Sequence, residues 1–214
     1  MRRHLQLLLA SLLSFTTLSA LGDPQSLLMQ IYPHGGQTLY CHTHFAPNSD
    51  VRADFIYTKS DLLDYYDCIT VDMCANNADF QRAYNDLHNI YPVDLKAVLA
   101  RSGALYGPVP DSAPLASQQC PWRTSFQTFD PPDYAKGNVA RAMVYMSEHY
   151  GLPMRGALVT YIKWNRLDPP DQEELDRNKA IKVLQGTSNP YVENPTLMDK
   201  LDNRQPGGFQ MQFP

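Results

Sequence analysis

Beyond its first 22 residues the 214-residue chain has no apolar run long enough to cross a bilayer, so a multi-span membrane protein is excluded. Basic residues are scarce. The whole chain carries 18 Lys and Arg against 22 Asp and Glu; without Arg2 and Arg3 of the leading segment, 16 face 22, a net charge of −6. That sign is wrong for a protein whose affinity comes mainly from nucleic-acid phosphates. Cysteines are few, only four, and none forms a CxxC pair, so a zinc ribbon is not indicated. No internal repeat and no low-complexity linker divides the chain. What is present is 43% hydrophobic and 19% charged, with 17 prolines and 13 tyrosines. That composition suits one folded domain rich in loops and aromatic packing and argues against disorder.

The opening MRRHLQLLLASLLSFTTLSALG reads as an export leader covering residues 1–22. Arg2 and Arg3 form its positive end, Leu5–Leu18 its short apolar stretch, and Ala20 and Gly22 the small residues before a cut at Asp23. A cut after Ala20 is the other option. The mature chain, 23–214, is then a single domain in an oxidising compartment, periplasmic or secreted, with no membrane contact after leader removal, and is expected to be a monomer. In that setting Cys41, Cys68, Cys74 and Cys120 read as disulfide partners. Cys68 and Cys74 enclose a short loop and are expected to pair, leaving Cys41 with Cys120, although four cysteines permit three connectivities. Chain entropy assigns about 2 kcal/mol to the short loop and about 4.5 kcal/mol to the long one.

Residues 37–45 and 51–58 read as strands, the second (VRADFIYT) being β-branched and aromatic. Phe80, Ala83, Tyr84 and Leu87 follow helical spacing within 77–89, and Pro92 stops that helix. The proline-spotted stretch 92–132 reads as irregular and pinned by Cys120. Three helices then follow. The first starts at the prolines 131–132 and ends at Gly151, the second covers 154–166, and the third is capped by Asp168 and ends at Gly186. The tail after Asn194 reads as frayed. The fold class expected is α+β.

Function enters through FDPPDYAKGNVARAMVYMSEHYGL (129–152), WNRLDPPDQEELDRNKAIKVLQGTSNPYVENP (164–195), Tyr40-Cys41 and NDLHNIYP (85–92). In order and over about residues 39–195, these resemble the bacterial endonuclease I family. The resemblance implies an exported, largely sequence-non-specific nuclease acting on DNA or RNA, with a ββα-metal core (about 37–195), extra C-terminal helices and long loops. There a hairpin and a helix hold one Mg²⁺ ion and a histidine activates water.

The resemblance also assigns positions. The family's Glu-His-Val-X-Pro run falls on Asp54-Phe55-Ile56-Tyr57-Thr58. Asp54 keeps the metal carboxylate in shorter form, whereas the general base falls on Phe55, which accepts no proton. Asn89 matches the second metal ligand, beside Asp86 and His88, and His88 is a possible substitute base. The family's Asn-X-X-Arg-X-Asn stretch falls on 98–103: Arg101 is kept, and Val98 and Gly103 replace the asparagines. Lys136, Arg141, Arg177 and Asn178 are candidates either for phosphate contact or for structural pairing. His42 and His44, on one face if their segment is a strand, are a weak candidate metal pair. Two functions follow: a Mg²⁺-dependent endonuclease, or a nuclease-shaped binding module impaired in hydrolysis, with acidic net charge weakening nucleic-acid attraction in both.

Overall fold

The computed structural model describes residues 21–47 and 49–202; the leader reading falls almost wholly on residues outside these. The chain opens with α1 (Pro24–Ile31), whose N-terminus is capped by the Asp23 carboxylate, an acceptor for the Ser26 N–H at 2.8 Å. Next come β1 (Gly36–Gln37) and β2 (His44–Phe45), which pair antiparallel. One strand was expected over 37–45. Instead the segment folds back on itself, with His42 in the left-handed region at φ +49°. His42 is therefore not on a strand, and its ring lies 3.9 Å from that of Tyr134, while His44 contacts the Gln37 amide.

The central unit is β3 (Val51–Phe55), α2 (Lys59–Tyr65), α3 (Ala78–Tyr84), β4 (Ile90–Asp94) and α4 (Leu95–Arg101). Strands β3 and β4 pair antiparallel, with Asp54 opposite Tyr91 and Phe55 opposite Ile90, and α4 follows β4 directly. That is the ββα arrangement. The expected second strand stops three residues early because Thr58 turns the chain and caps α2 with its hydroxyl. The helix expected over 77–89 is α3, capped by Asn77, followed by a separate 3₁₀ turn at Leu87–Asn89. Pro92 ends helical structure but sits inside β4; this is a two-stranded pair, so its missing N–H leaves an edge unpaired rather than a ladder broken.

Residues 92–132 are more regular than their prolines suggest. Besides α4 they form β5 (Leu105–Tyr106), β6 (Arg123–Ser125) and β7 (Thr128–Asp130), in the order β5-β7-β6, β5 parallel to β7 and β6 antiparallel to it. The C-terminal half is helical: α5 (Asp133–Tyr150), α6 (Leu158–Leu167), α7 (Gln172–Gln185), α8 (Pro190–Glu193) and α9 (Asp199–Asp202). Gly151 and Gly186 close α5 and α7 in the left-handed conformation, as expected. The α7 cap is Asp171, three residues later than expected. Asp168 instead accepts the Gly137 N–H at 2.8 Å, and the Asp168 carbonyl comes so near that a Cβ at Gly137 would lie 1.9 Å from it. Glycine at 137 thus sets the close approach of α5 to the α6–α7 link. The segment after Asn194, expected to fray, forms a 3₁₀ turn at Pro195–Leu197 and then α9, with Met198 and Leu201 buried in the core.

Both expected bridges form, Cys41–Cys120 with Cα atoms 4.3 Å apart and Cys68–Cys74 at 5.9 Å. The first ties the β1–β2 region to the loop before β6. The core gathers the inner faces of α1, β3, β4, α5 and α6, with Tyr40, Phe80, Phe129 and Tyr161 fully buried. Among the described residues no helix is long and apolar enough to cross a membrane.

Candidate active-site cleft

Strand β3 delivers Asp54 and Phe55 to the wall of a cleft of about 400 Å³, and α4 delivers Val98 and Arg101 to the same cleft, with Gly103 just beyond. The five positions that the family resemblance singled out on β3 and in 98–103 are therefore neighbours, brought together by the ββα arrangement. Lys59, Ser60 and Ser102 add polar groups to the lining.

Inside the cleft Asp54 is committed. Arg101 Nε donates to Asp54 Oδ2 at 2.9 Å, and Nη2 to Oδ1 at 2.8 Å, a two-point fork on a carboxylate that is 8% exposed. The Phe55 N–H also donates to Oδ1 at 3.0 Å, and Arg101 Nη2 additionally reaches the Phe55 carbonyl. The guanidinium carbon lies 5.3 Å from the Tyr106 ring centre, and Nη1 is buried with no hydrogen-bond partner among the described residues. Burial opposes the charge on Arg101, but Tyr106 and Asp54 outweigh it and hold the guanidinium above its ordinary range. Phe55 lines the cleft yet belongs to the core, its ring 5.2 Å from that of Tyr84. It offers neither a lone pair nor a proton.

Asn89 stands apart from this group. It is fully buried, and both ends of its amide are used: Oδ1 accepts the Tyr57 N–H at 2.7 Å and Nδ2 donates to the Tyr57 carbonyl at 3.0 Å. Its side chain performs a strand's hydrogen bonding where β3 has ended, and it does not line the cleft. A Mg²⁺ ion needs several hard oxygens at about 2.1 Å. Here the one carboxylate is held in an arginine fork and the one amide is turned to backbone, so the residues present do not fit the ion. Among the described residues no three His, Cys, Asp or Glu side chains group to hold a metal.

His88 is likewise elsewhere. Its Nε2 lies 3.2 Å from the Thr187 carbonyl, its ring packs edge-on to Tyr145, and none of these residues lines the cleft. Burial is the main cause that pushes its pKa down to about 4. A histidine held neutral in the fold stabilises it fully above its unfolded pKa of about 6.5, and loses that contribution as the pH falls towards 4. Thermal unfolding followed across pH 7 to 4 is expected to show a fall in Tm that is smaller in His88→Gln; equal falls would contradict the assignment.

The other candidates each have partners within the fold. Arg141 forks onto Glu174 and donates to Asn165 Oδ1 and the Asp168 carbonyl. Arg177 stacks 3.8 Å over the Tyr91 ring and donates to the Leu87 and Ile90 carbonyls. Lys136 pairs with Asp130 and Asp133, and Asn178 bonds the backbone of Asn189. Sequence reasoning missed the Asp54–Arg101 contact. Nothing in local spacing marks two residues 47 positions apart; only the shared helix-and-strand geometry does.

Residues 34–196 match the family model for Endonuclease I. The chain is 31% identical over 124 residues to an extracellular deoxyribonuclease of Aeromonas hydrophila, covering 56% of this chain and 54% of that protein. It is 32% identical over 124 residues to Endonuclease-1 of Buchnera aphidicola subsp. Baizongia pistaciae, with 56% and 50% covered. To an extracellular ribonuclease of Bacillus amyloliquefaciens it is 27% identical over 135 residues, with 54% and 46% covered. The matches thus span about half the length of these curated relatives. The ββα arrangement, the cleft positions on β3 and α4, and a family match across most of the sequence together mean that the chain belongs to the endonuclease I family.

Proposed function

We propose that this chain is an exported endonuclease I-type protein that binds rather than cuts, its Mg²⁺-dependent phosphodiester hydrolysis silenced at the inherited site. The observation that carries this is the Asp54–Arg101 fork with Phe55 beside it. General-base catalysis contributes about 10²–10⁴-fold, and the base position holds a hydrocarbon ring. The carboxylate that would hold the cation already has one, in the form of a guanidinium. Val98 removes a further polar group from the cleft. The structural pairing of Lys136, Arg141 and Arg177, together with a net charge of −6 after the leader, supports weak rather than strong attraction to nucleic acid. Export is supported by the extracellular relatives and by the two disulfides.

A second reading, a slow Mg²⁺-dependent endonuclease on DNA or RNA, is favoured by one feature: Asp54 and Arg101 still line an open cleft. Supercoiled plasmid incubated with purified protein and Mg²⁺ separates the two. No nicking above an EDTA-treated control is expected; EDTA-sensitive nicking would establish the second reading.

A further inference from the structure

Arg101 is the last residue of α4, and Ser102 after it turns the chain in the left-handed region at φ +26°. The helix ends there, so tertiary contacts must keep the long side chain on Asp54. The fork uses Nε and Nη2, whereas Nη1 is buried with no hydrogen-bond partner among the described residues. A charged donor buried unpaired is costly and favours conformations that reach water, and the open cleft lined by Arg101 offers one. One neighbouring group offsets that cost. The Tyr106 ring lies within cation–π range, 5.3 Å from the guanidinium carbon, and both residues are buried, where such a contact is strongest.

The Tyr106 ring is itself fixed by distant parts of the chain. Its hydroxyl shares a 2.6 Å hydrogen bond with that of Tyr40, between β1 and β2. On β5 it stands opposite Phe129 of β7 and meets that ring edge-on at 6.1 Å. Tyr40 tilts against the same Phe129 ring at 5.1 Å, its carbonyl accepts the Tyr134 hydroxyl at 2.9 Å, and Cys41 beside it is bridged to Cys120. Neither Tyr40 nor Tyr106 lines the cleft. The pair therefore acts on the cleft only through Arg101.

We propose that Tyr106, seated by Tyr40, is the positioning residue that keeps Arg101 on Asp54, so that the contact silencing the site is an arginine latched by an aromatic face. Without that face Arg101 divides its time between Asp54 and the cleft. The proposal rests on the fork being the silencing contact. Failure of that reading shows as EDTA-sensitive nicking by the unaltered protein, which the following measurement does not register. Hydrogen exchange at arginine Nε–H is followed by ¹H–¹⁵N NMR of the full-length mature protein, with the Arg101 signal assigned by its loss in Arg101→Lys. Arg141 Nε, which donates to Glu174, is the internal reference, because general loosening of the fold speeds both arginines alike. Tyr106→Leu is expected to speed exchange at Arg101 about 10-fold relative to Arg141, the size of a desolvated cation–π contact. Tyr106→Met fills more of the space without a π face; it is expected to act in the same way and serves if Tyr106→Leu does not fold. Tyr40→Phe combined with Tyr106→Phe keeps both rings and leaves neither hydroxyl unpaired, and is expected to exchange near the unaltered rate. Equal exchange changes at Arg101 and Arg141, no change at either, or acceleration by the double phenylalanine variant as large as that by Tyr106→Leu would overturn the proposal.

Discussion

Replacing Arg141 by methionine is expected to destabilise the fold by about 3–5 kcal/mol, the cost typical of breaking a buried ion pair by removing one partner. Arg141 and Glu174 are each about 1% exposed at the side chain, on α5 and α7. Without the guanidinium, Glu174 would be buried unpaired, and Asn165 Oδ1 and the Asp168 carbonyl would each lose a donor. For a domain of this size each kcal/mol moves Tm by about 2–4 °C, so a drop of roughly 6–20 °C is expected in a thermal melt. Arg166→Ala is the control. Its partner Asp199 is exposed, as Arg166 is, and such pairs are worth about 0–1 kcal/mol. If both variants melt alike, the Arg141 network is not the strut between these helices.

The second large effect is a gain. Phe55→His combined with Val98→Asn is expected to raise Mg²⁺-dependent plasmid cutting by about 10²-fold or more over the unaltered chain, the lower range of general-base catalysis. The two changes are needed together. An imidazole at 55 restores a proton acceptor in the cleft, but Asp54 remains held at 2.8 and 2.9 Å by Arg101. An amide at 98, on the helix that lines the same cleft, adds a hard oxygen that shifts the balance towards a metal ion. Phe55→His alone is expected to stay near the starting level. A large gain from that single change would mean that the arginine fork is no obstacle.

How far the sequence could be read depended on the range of the signal. Helices α3, α5 and α7 were legible because the apolar spacing of Phe80, Ala83 and Tyr84 and the stops at Gly151 and Gly186 all act within a few residues. The β5-β7-β6 sheet was not, because strands of two and three residues carry no pattern of their own and are fixed by partners far along the chain. Pro92 was read for its local effect on a helix, and the β3 pairing that places it in a strand is long-range. The cleft divides in the same way. The positions of Asp54, Phe55, Val98 and Arg101 came from alignment to a family pattern, and the fold gathers them in one place. For Asn89 the fold shows a contact that the run DLHN does not reveal: its amide bonds the backbone of Tyr57 at both ends.

Titration of the unaltered protein with Mn²⁺, followed by the loss of the free ion's paramagnetic resonance signal, tests the central claim most directly. Asp54→Asn serves as the reference that has no carboxylate at the site. The account predicts that the two proteins titrate alike, without a saturable one-to-one site, because Arg101 already neutralises Asp54. A single Mn²⁺ site in the unaltered chain that Asp54→Asn abolishes would contradict it.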